Sequence, residues 1–181
     1  MPQGYQIYNQ QAAYFLTFQV VEWVDVFTRP AYKNIVTDCF NFCRKNKGLQ
    51  LFGYVIMTNH VHLIARAKES CQLSDIVRDF KKFTANQILP FLAGTQESRR
   101  DWMLKRFGFG AAAHQRNSHY QFWTHENHAI ELISAYFAQQ KLAYIHNNPV
   151  RAAIVDKPED YLYTSAMNYA GRKGLIEIDL L

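Results

Sequence analysis

Apolar residues follow two different periods along the first part of the chain, and each change of period marks a predicted element. Residues 13–23 form an apolar run rich in β-branched and aromatic side chains, which predicts a mostly buried strand. Residues 29–48 then carry apolar side chains at helical spacing. Pro30 near the first turn and Gly48 after basic residues are typical of the two ends of a helix.

The next elements are predicted to be a hairpin and a long helix. Residues 49–57 and 60–66 read as two strands joined by a turn of two polar residues. Ser74 is the predicted N-cap of a helix over residues 75–92, whose apolar positions again recur at helical spacing. Pro90 is expected to kink or end that helix, because proline lacks the N–H that the helix needs.

The pattern is weaker in the second half of the chain. Residues 94–119 mix glycine, serine and charged residues, and we expect a loop or an insertion there. Residues 120–125 are a candidate short strand, and residues 129–148 predict a long helix halted by Pro149. From about residue 156 the chain reads as a C-terminal extension of loop and short helix.

The order strand, helix, hairpin, helix, candidate strand, helix predicts an α+β fold. It is typical of a split βαβ sandwich, in which an antiparallel sheet carries helices packed on one face. A length of 181 residues fits one domain over residues 1–181.

Composition narrows the class of protein. A hydrophobic content of 49% with 15% aromatic residues argues against disorder. No apolar run approaches the roughly 20 residues of a membrane span, so we expect a cytoplasmic, nucleoid-associated protein with no membrane partner. The net charge of +5 favours an anionic partner, and basic residues cluster around aromatic ones at 78–83, 99–106 and 172–175. These clusters modestly favour nucleic acid over a solvated surface.

His60 and His62 interrupt the second strand of the hairpin. Because side chains alternate along a strand, both imidazoles project from the same face and Val61 from the other. Two imidazoles on one face could bind a single metal ion, or they could lie half-exposed on a solvated sheet. The strongly apolar neighbours favour the metal site, because a buried imidazole needs a partner.

A zinc hydrolase is one alternative for this pair. Such sites commonly carry a further aspartate or histidine close by, but residues 63–70 contain neither. Two imidazoles then leave an open site that requires a third ligand from elsewhere in the chain. A hydrolase of small phosphoesters would also leave the basic helix unexplained.

The last predicted helix offers a second group of polar side chains. Tyr144 and Asn148 are four residues apart, which places them one turn apart on the same helix face. Tyr144 could equally be a core residue and Asn148 a routine C-terminal cap.

The segments together closely resemble the single-tyrosine HUH transposases, and most of all the REP-associated tyrosine transposases. The likeness rests on GYVIMTNHVHLI, FKKFTANQI, FWTHE, YIHNNPVRAAIV, PEDYLYTSA and NYAG, which occur in the order of that family. It extends from about residue 13 to residue 171, and residues 94–119 contribute little to it.

The resemblance implies a ferredoxin-like fold and an enzyme that cuts and rejoins single-stranded DNA near hairpins. His60 and His62 match the metal-binding pair, Tyr144 matches the nucleophile, and Asn148 stands where the family has a third, polar metal ligand. The cofactor would be Mg²⁺ or Mn²⁺. Tyr144 would attack the phosphorus, leaving a 5′-phosphotyrosine and a free 3′-hydroxyl.

Basic residues are predicted to hold the DNA. Arg78, Lys81 and Lys82 on the second helix and Arg151 beyond the tyrosine could contact phosphates. Aromatic side chains could stack on unpaired bases, but core packing is the better interpretation for each of Phe83, Trp102 and Trp123. The alternative function is a DNA-hairpin-binding protein that no longer cuts, and both a monomer and a homodimer remain open.

Overall fold

A four-stranded antiparallel sheet organises the part of the chain that the computed structural model describes, residues 6–113 and 119–181. Its strands are β1 (Tyr14–Gln19), β2 (Leu49–Ile56), β3 (His60–Ala67) and β4 (Ile130–Glu131), in the spatial order β2-β3-β1-β4. The predicted hairpin of β2 and β3 is confirmed, and β1 pairs with the other edge of β3. The predicted α+β fold with an antiparallel sheet is therefore confirmed.

Two helices cover one face of this sheet. They are α1 (Pro30–Asn46) and α2 (Leu73–Gly94), which pack on each other and on β2 and β3. Aromatic side chains fill the layer between helices and sheet: the ring of Phe80 lies 4.5 Å from that of Phe40 and 5.4 Å from that of Phe18. Gly48 ends α1 as predicted, since its φ of 74° is accessible to glycine without strain.

The opposite face of the sheet carries a fourth helix, α4 (Ala135–Arg151). The prediction of helices on one face holds for α1 and α2, and the structure adds α4 as a second helical layer. Gly53 allows its close approach, because a Cβ at that position would lie only 2.6 Å from Cδ1 of Leu142. A β-bulge between Leu51 and Gly53 accompanies this contact.

Neither proline ends its helix, although Pro90 was expected to kink or end one and Pro149 to halt another. Helix α2 continues through Pro90 to Gly94, and the fully buried Leu92 anchors its last turn. Helix α4 likewise continues through Pro149, which is itself buried, to Arg151. In both cases tertiary packing near the helix end outweighs the loss of one backbone hydrogen bond.

The start of α2 also differs from the prediction. The helix begins at Leu73 with Gln72 in the N-cap position, so Ser74 is not the cap. The backbone N–H of Ser74 instead donates to Oε1 of Gln10 at 2.9 Å. A side chain from outside the helix thus satisfies one of its free N–H groups.

The segment 94–119 contains a helix rather than only a loop. Helix α3 (Arg100–Ala112) buries Met103, Phe107 and Ala111, which recur every fourth residue along one side. Charged residues surround this narrow stripe, so the apolar pattern was too weak to predict a helix. Residues 114–118 of the predicted loop lie outside the described residues.

The predicted strand over residues 120–125 is reduced to one bridge between Val20 and Trp123. Strand β4 forms instead at Ile130–Glu131, inside the range predicted as helix, because these residues pair with β1. Helix α4 starts later, at Ala135, where the Ser134 hydroxyl accepts a hydrogen bond from the N–H of Phe137 at 3.2 Å.

The C-terminal extension packs along the free edge of β2. Thr164 forms an isolated bridge with Val55, and the hydroxyl of Tyr161 donates to the carbonyl of Ile56 at 2.7 Å. Helix α5 (Ala166–Tyr169) follows. Across the described residues, no helix has both the length and the apolar character needed to cross a membrane.

Replacing Gly53 tests the contact between β2 and α4. Gly53→Val suits a strand by propensity, but its side chain would overlap Leu142. We expect a loss of about 1–3 kcal/mol in the free energy of unfolding, as for other overpacked cores, measured by urea denaturation. Gly94→Ala is the control, because a Cβ there meets nothing within 4 Å. Equal urea midpoints for Gly53→Val and the wild type would contradict the close approach.

Candidate active site

An open cavity of about 990 Å³ lies on the sheet face that carries α4. The end of β1, the start of β3 and one side of α4 form part of its lining. The turn after β1, the end of α3 and the segment 121–128 form the rest. Residues predicted as catalytic and metal-binding line this cavity: His60, His62 and Tyr144.

The two imidazoles project from β3 into this cavity, with ring centroids 4.6 Å apart. Nδ1 of His62 is 2.8 Å from the hydroxyl oxygen of Thr17, the residue directly opposite on β1. Nδ1 of His60 is 2.8 Å from Oδ1 of Asn59, to which it donates when the imidazole is neutral. These partners orient both rings through Nδ1 and leave Nε2 of each as the nitrogen for a ligand.

Burial keeps both imidazoles neutral. It lowers the pKa of His62 to about 3, and the nearby charges of His60, Lys141 and His128 act in the same direction. Burial also lowers the pKa of His60, although the carboxylate of Asp25 partly opposes this. A neutral imidazole with a free Nε2 is the form that binds a metal ion.

Tyr144 lies beside this pair on α4. Its ring centroid is 5.4 Å from that of His62 and 6.0 Å from that of Phe15. Tyr144 is 39% exposed, so solvent and a substrate can reach it. The structure thus brings the two histidines of one predicted strand together with a tyrosine that the sequence placed in a separate helix.

Arg151 packs on the ring of Tyr144, with its guanidinium carbon 5.6 Å from the ring centroid. Asn148 lies between them on α4 but does not line the cavity. Asn148 lies outside because the cavity extends from Tyr144 toward the N-terminal end of α4, whereas Asn148 lies one turn toward the C-terminal end.

Lys141 is a site residue that sequence reasoning missed. It lines the cavity one turn before Tyr144, and its ammonium lies 4.9 Å from the ring centroid of Phe15. The spacing of three residues from Tyr144 on one helix was the available signal. Thr17 was missed as well, because its link to His62 depends on the strand register.

The predicted DNA contacts of α2 divide into two kinds. Arg78 and Lys82 are exposed, and Arg78 forms ion pairs with Asp75 and Asp79 at 2.6 Å and 3.0 Å. The ammonium of Lys81 instead donates to the backbone carbonyl of Thr124 at 2.9 Å, and burial lowers its pKa to about 7. Lys81 therefore helps to hold the segment 121–128 that walls the cavity.

The cavity offers a metal ion two imidazole nitrogens. Within residues 6–113 and 119–181, no group of three or more His, Cys, Asp and Glu side chains could hold a metal ion. His60 and His62 supply two oriented, neutral nitrogens on the cavity surface. This pair fits an open site in which water, substrate or a neutral side chain completes the coordination.

The chain resembles known proteins in sequence and in fold. The sequence model of the family described as "Transposase IS200 like" matches residues 10–140, which include His60 and His62 and end before Tyr144. A solved structure of a REP-associated tyrosine transposase bound to a REP hairpin has a TM-score of 0.67 at 12% identity. That match covers 99% of this chain and 92% of the other, and it shows a shared fold.

A second solved structure, a candidate transposase from Deinococcus radiodurans R1, has a TM-score of 0.43 at 20% identity. It covers 81% of this chain and 97% of the other. No curated protein matches the chain.

His146, two residues after Tyr144, gives a pH test of how α4 is held. Its Nε2 is 2.9 Å from the hydroxyl oxygen of Ser165, and burial lowers its pKa from 6.5 to about 4. Between these values the unfolded chain binds more protons at this residue, so the contribution of His146 to stability falls as pH falls through this window. We expect His146→Gln, which does not titrate, to reduce that slope by up to about 1.4 kcal/mol per pH unit. Urea denaturation of both proteins between these pH values measures the difference, and parallel curves would contradict it.

Proposed function

This chain belongs to the family of IS200-like transposases, which are DNA-cutting enzymes, and from that membership we propose that it cleaves and rejoins single-stranded DNA beside hairpins. The observation that carries the proposal is the meeting of His60, His62 and Tyr144 in one cavity. A protein that only binds DNA has no use for a solvent-accessible phenol beside a pair of neutral imidazoles.

His60 and His62 are the proposed ligands of Mg²⁺ or Mn²⁺. When bound, the ion would neutralise and polarise the non-bridging oxygens of a phosphodiester, whose negative charge otherwise resists attack. Asn148 remains the proposed third ligand on the family resemblance alone, since its side chain does not line the cavity.

Tyr144 is the proposed nucleophile. Its phenolic oxygen forms a bond to phosphorus while the bond from phosphorus to the 3′-oxygen breaks, so that one phosphodiester replaces another. The proton lost by the phenol is balanced by the proton that the released 3′-hydroxyl gains. Because the phosphotyrosine keeps a phosphodiester bond, attack by a different 3′-hydroxyl joins new strands without ATP.

Two cations on α4 flank the proposed nucleophile. The ammonium of Lys141 lies over Phe15 on the cavity side, and the guanidinium of Arg151 lies over the ring of Tyr144. We assign both to the phosphates on either side of the cut, where opposite charge positions the strand. Arg78 and Lys82 on the exposed side of α2 would add contacts farther along the DNA.

The proposed partner is DNA with a hairpin end, met in the cytoplasm. The solved neighbour with the same fold was bound to a REP hairpin, and the net charge of +5 on this chain suits such a ligand. A DNA-hairpin-binding protein without cleavage activity is the second reading, and the nucleophile test separates the two.

Tyr144→Phe tests the nucleophile directly. The substitution removes one oxygen and keeps the ring packed beside His62 and Phe15, so we expect a folded protein that still binds hairpin DNA. Phenylalanine has no atom that can attack phosphorus, so the covalent protein–DNA adduct and the cleaved strand should both be absent. Labelled single-stranded DNA from the flanks of the gene, resolved on a denaturing gel, provides the measurement.

Tyr136→Phe is the matched control, because Tyr136 lies on the same helix and is 75% exposed. It should form the adduct at the wild-type rate. An adduct of Tyr144→Phe at that rate would identify another nucleophile, and no adduct with the wild type would favour the binding protein.

The metal requirement gives a graded test. EDTA or His60→Ala should abolish cleavage and leave hairpin binding largely unchanged, because the basic side chains remain. Thr17→Val removes only the partner of His62, so we expect the Mn²⁺ concentration for half-maximal cleavage to rise about 10–100-fold. Metal titrations of the cleavage rate measure both effects. Cleavage that continues in excess EDTA would rule out the metal site.

A further inference from the structure

The turn after β1 has an unusual backbone. Glu22 and Trp23 are consecutive residues with φ values of 54° and 55°. This left-handed region is unfavourable for residues with a side chain, and most of all for bulky ones. Such a conformation persists only where the surrounding structure imposes it, and it is found preferentially at functional sites.

Contacts on both sides of the turn impose this conformation. Val21 and Val24, which flank the two residues, are buried. The carbonyl oxygen of Trp23 accepts a hydrogen bond from Nδ2 of Asn59 at 3.3 Å. Oδ1 of the same Asn59 is the partner of Nδ1 of His60. One amide side chain therefore links the strained turn to an imidazole of the proposed metal-binding pair.

The turn presents Trp23 to solvent rather than to the core. Its side chain is 67% exposed, and it lines the same cavity as His60, His62 and Tyr144. An exposed indole returns little hydrophobic free energy to the folded chain, so burial within this chain does not offset the backbone strain. A ligand that covers the indole would bury this apolar surface and so offset the backbone strain.

We propose that Trp23 is a stacking site for an unpaired base of the DNA strand, in the same cavity as Tyr144. This inference rests on the proposed function and adds a base-binding position to it. A flat indole accepts the face of any base, which suits a single strand with unstacked bases.

The charges around the cavity favour a nucleic acid over an apolar protein segment. Lys141 lies on the cavity wall, and Arg151 packs on Tyr144, so cations are available for the phosphates of a strand whose base covers Trp23. The adjacent carboxylate of Glu22 is 3.8 Å from the guanidinium of Arg106, which reduces its repulsion of a phosphate. Base and phosphate thus each have a suitable neighbour.

Binding of two oligomers in EDTA tests the stacking without cleavage. The probes are short oligothymidylate and an abasic oligomer of equal length, which keeps the phosphates and lacks the bases. We expect Trp23→Ala to weaken binding of oligothymidylate by roughly 5- to 100-fold, the usual effect of one stacked base, and to leave the abasic oligomer unchanged. Trp102→Ala is the control, because Trp102 is 48% exposed but does not line the cavity.

Trp23→Gly separates stacking from a structural role. Glycine adopts a φ of 55° without strain, so this variant should be at least as resistant to urea as the wild type and still lose oligothymidylate affinity. Equal losses on both oligomers, no loss on either, or a wild type that fails to bind oligothymidylate would each overturn the stacking site. Adduct formation is measured separately, so base stacking without any adduct would reject the proposed cleavage and retain this site.

Discussion

Antiparallel pairing of β1 with β3 decides where the chemistry of this protein is placed. The register sets Thr17 opposite His62 and Gln19 opposite His60. Because side chains alternate along a strand, both imidazoles then face the cavity. The intervening Val61 points into the aromatic layer beneath α1 and α2. A shift of one residue would bury the imidazoles in that layer and separate His62 from the hydroxyl that orients it.

The two faces of the sheet therefore serve different purposes. One face is covered by α1 and α2, with an aromatic layer packed between helices and sheet. The other is covered only in part by α4, which approaches closely over Gly53 and leaves the ends of β1 and β3 open. A strand and a helix packed on it are well suited to hold the proposed nucleophile beside the proposed metal-binding histidines, because neither depends on a loop for its position.

The electrostatics of the cavity follow from this arrangement. Burial and neighbouring positive charge lower the pKa of His62 to about 3, so its imidazole is neutral at neutral pH. Lys141 lines the cavity from the helix side, and Arg151 lies over the ring of Tyr144 on the same helix. The site thus separates neutral nitrogens, which can bind a metal ion, from cations, which can bind DNA. Lys81, by contrast, donates hydrogen bonds to backbone carbonyls within the protein.

Local patterns in the sequence were enough to predict α1, the hairpin of β2 and β3, and the shared face of His60 and His62, since periodicity depends only on neighbours along the chain. The family resemblance pointed to Tyr144, but its contact with His62 depends on α4 packing across Gly53. Tertiary packing alone decided that α2 and α4 continue through Pro90 and Pro149, and that β4 pairs with β1. It also placed Lys141 and Trp23 at the cavity, because strand register and burial join residues that are far apart in sequence.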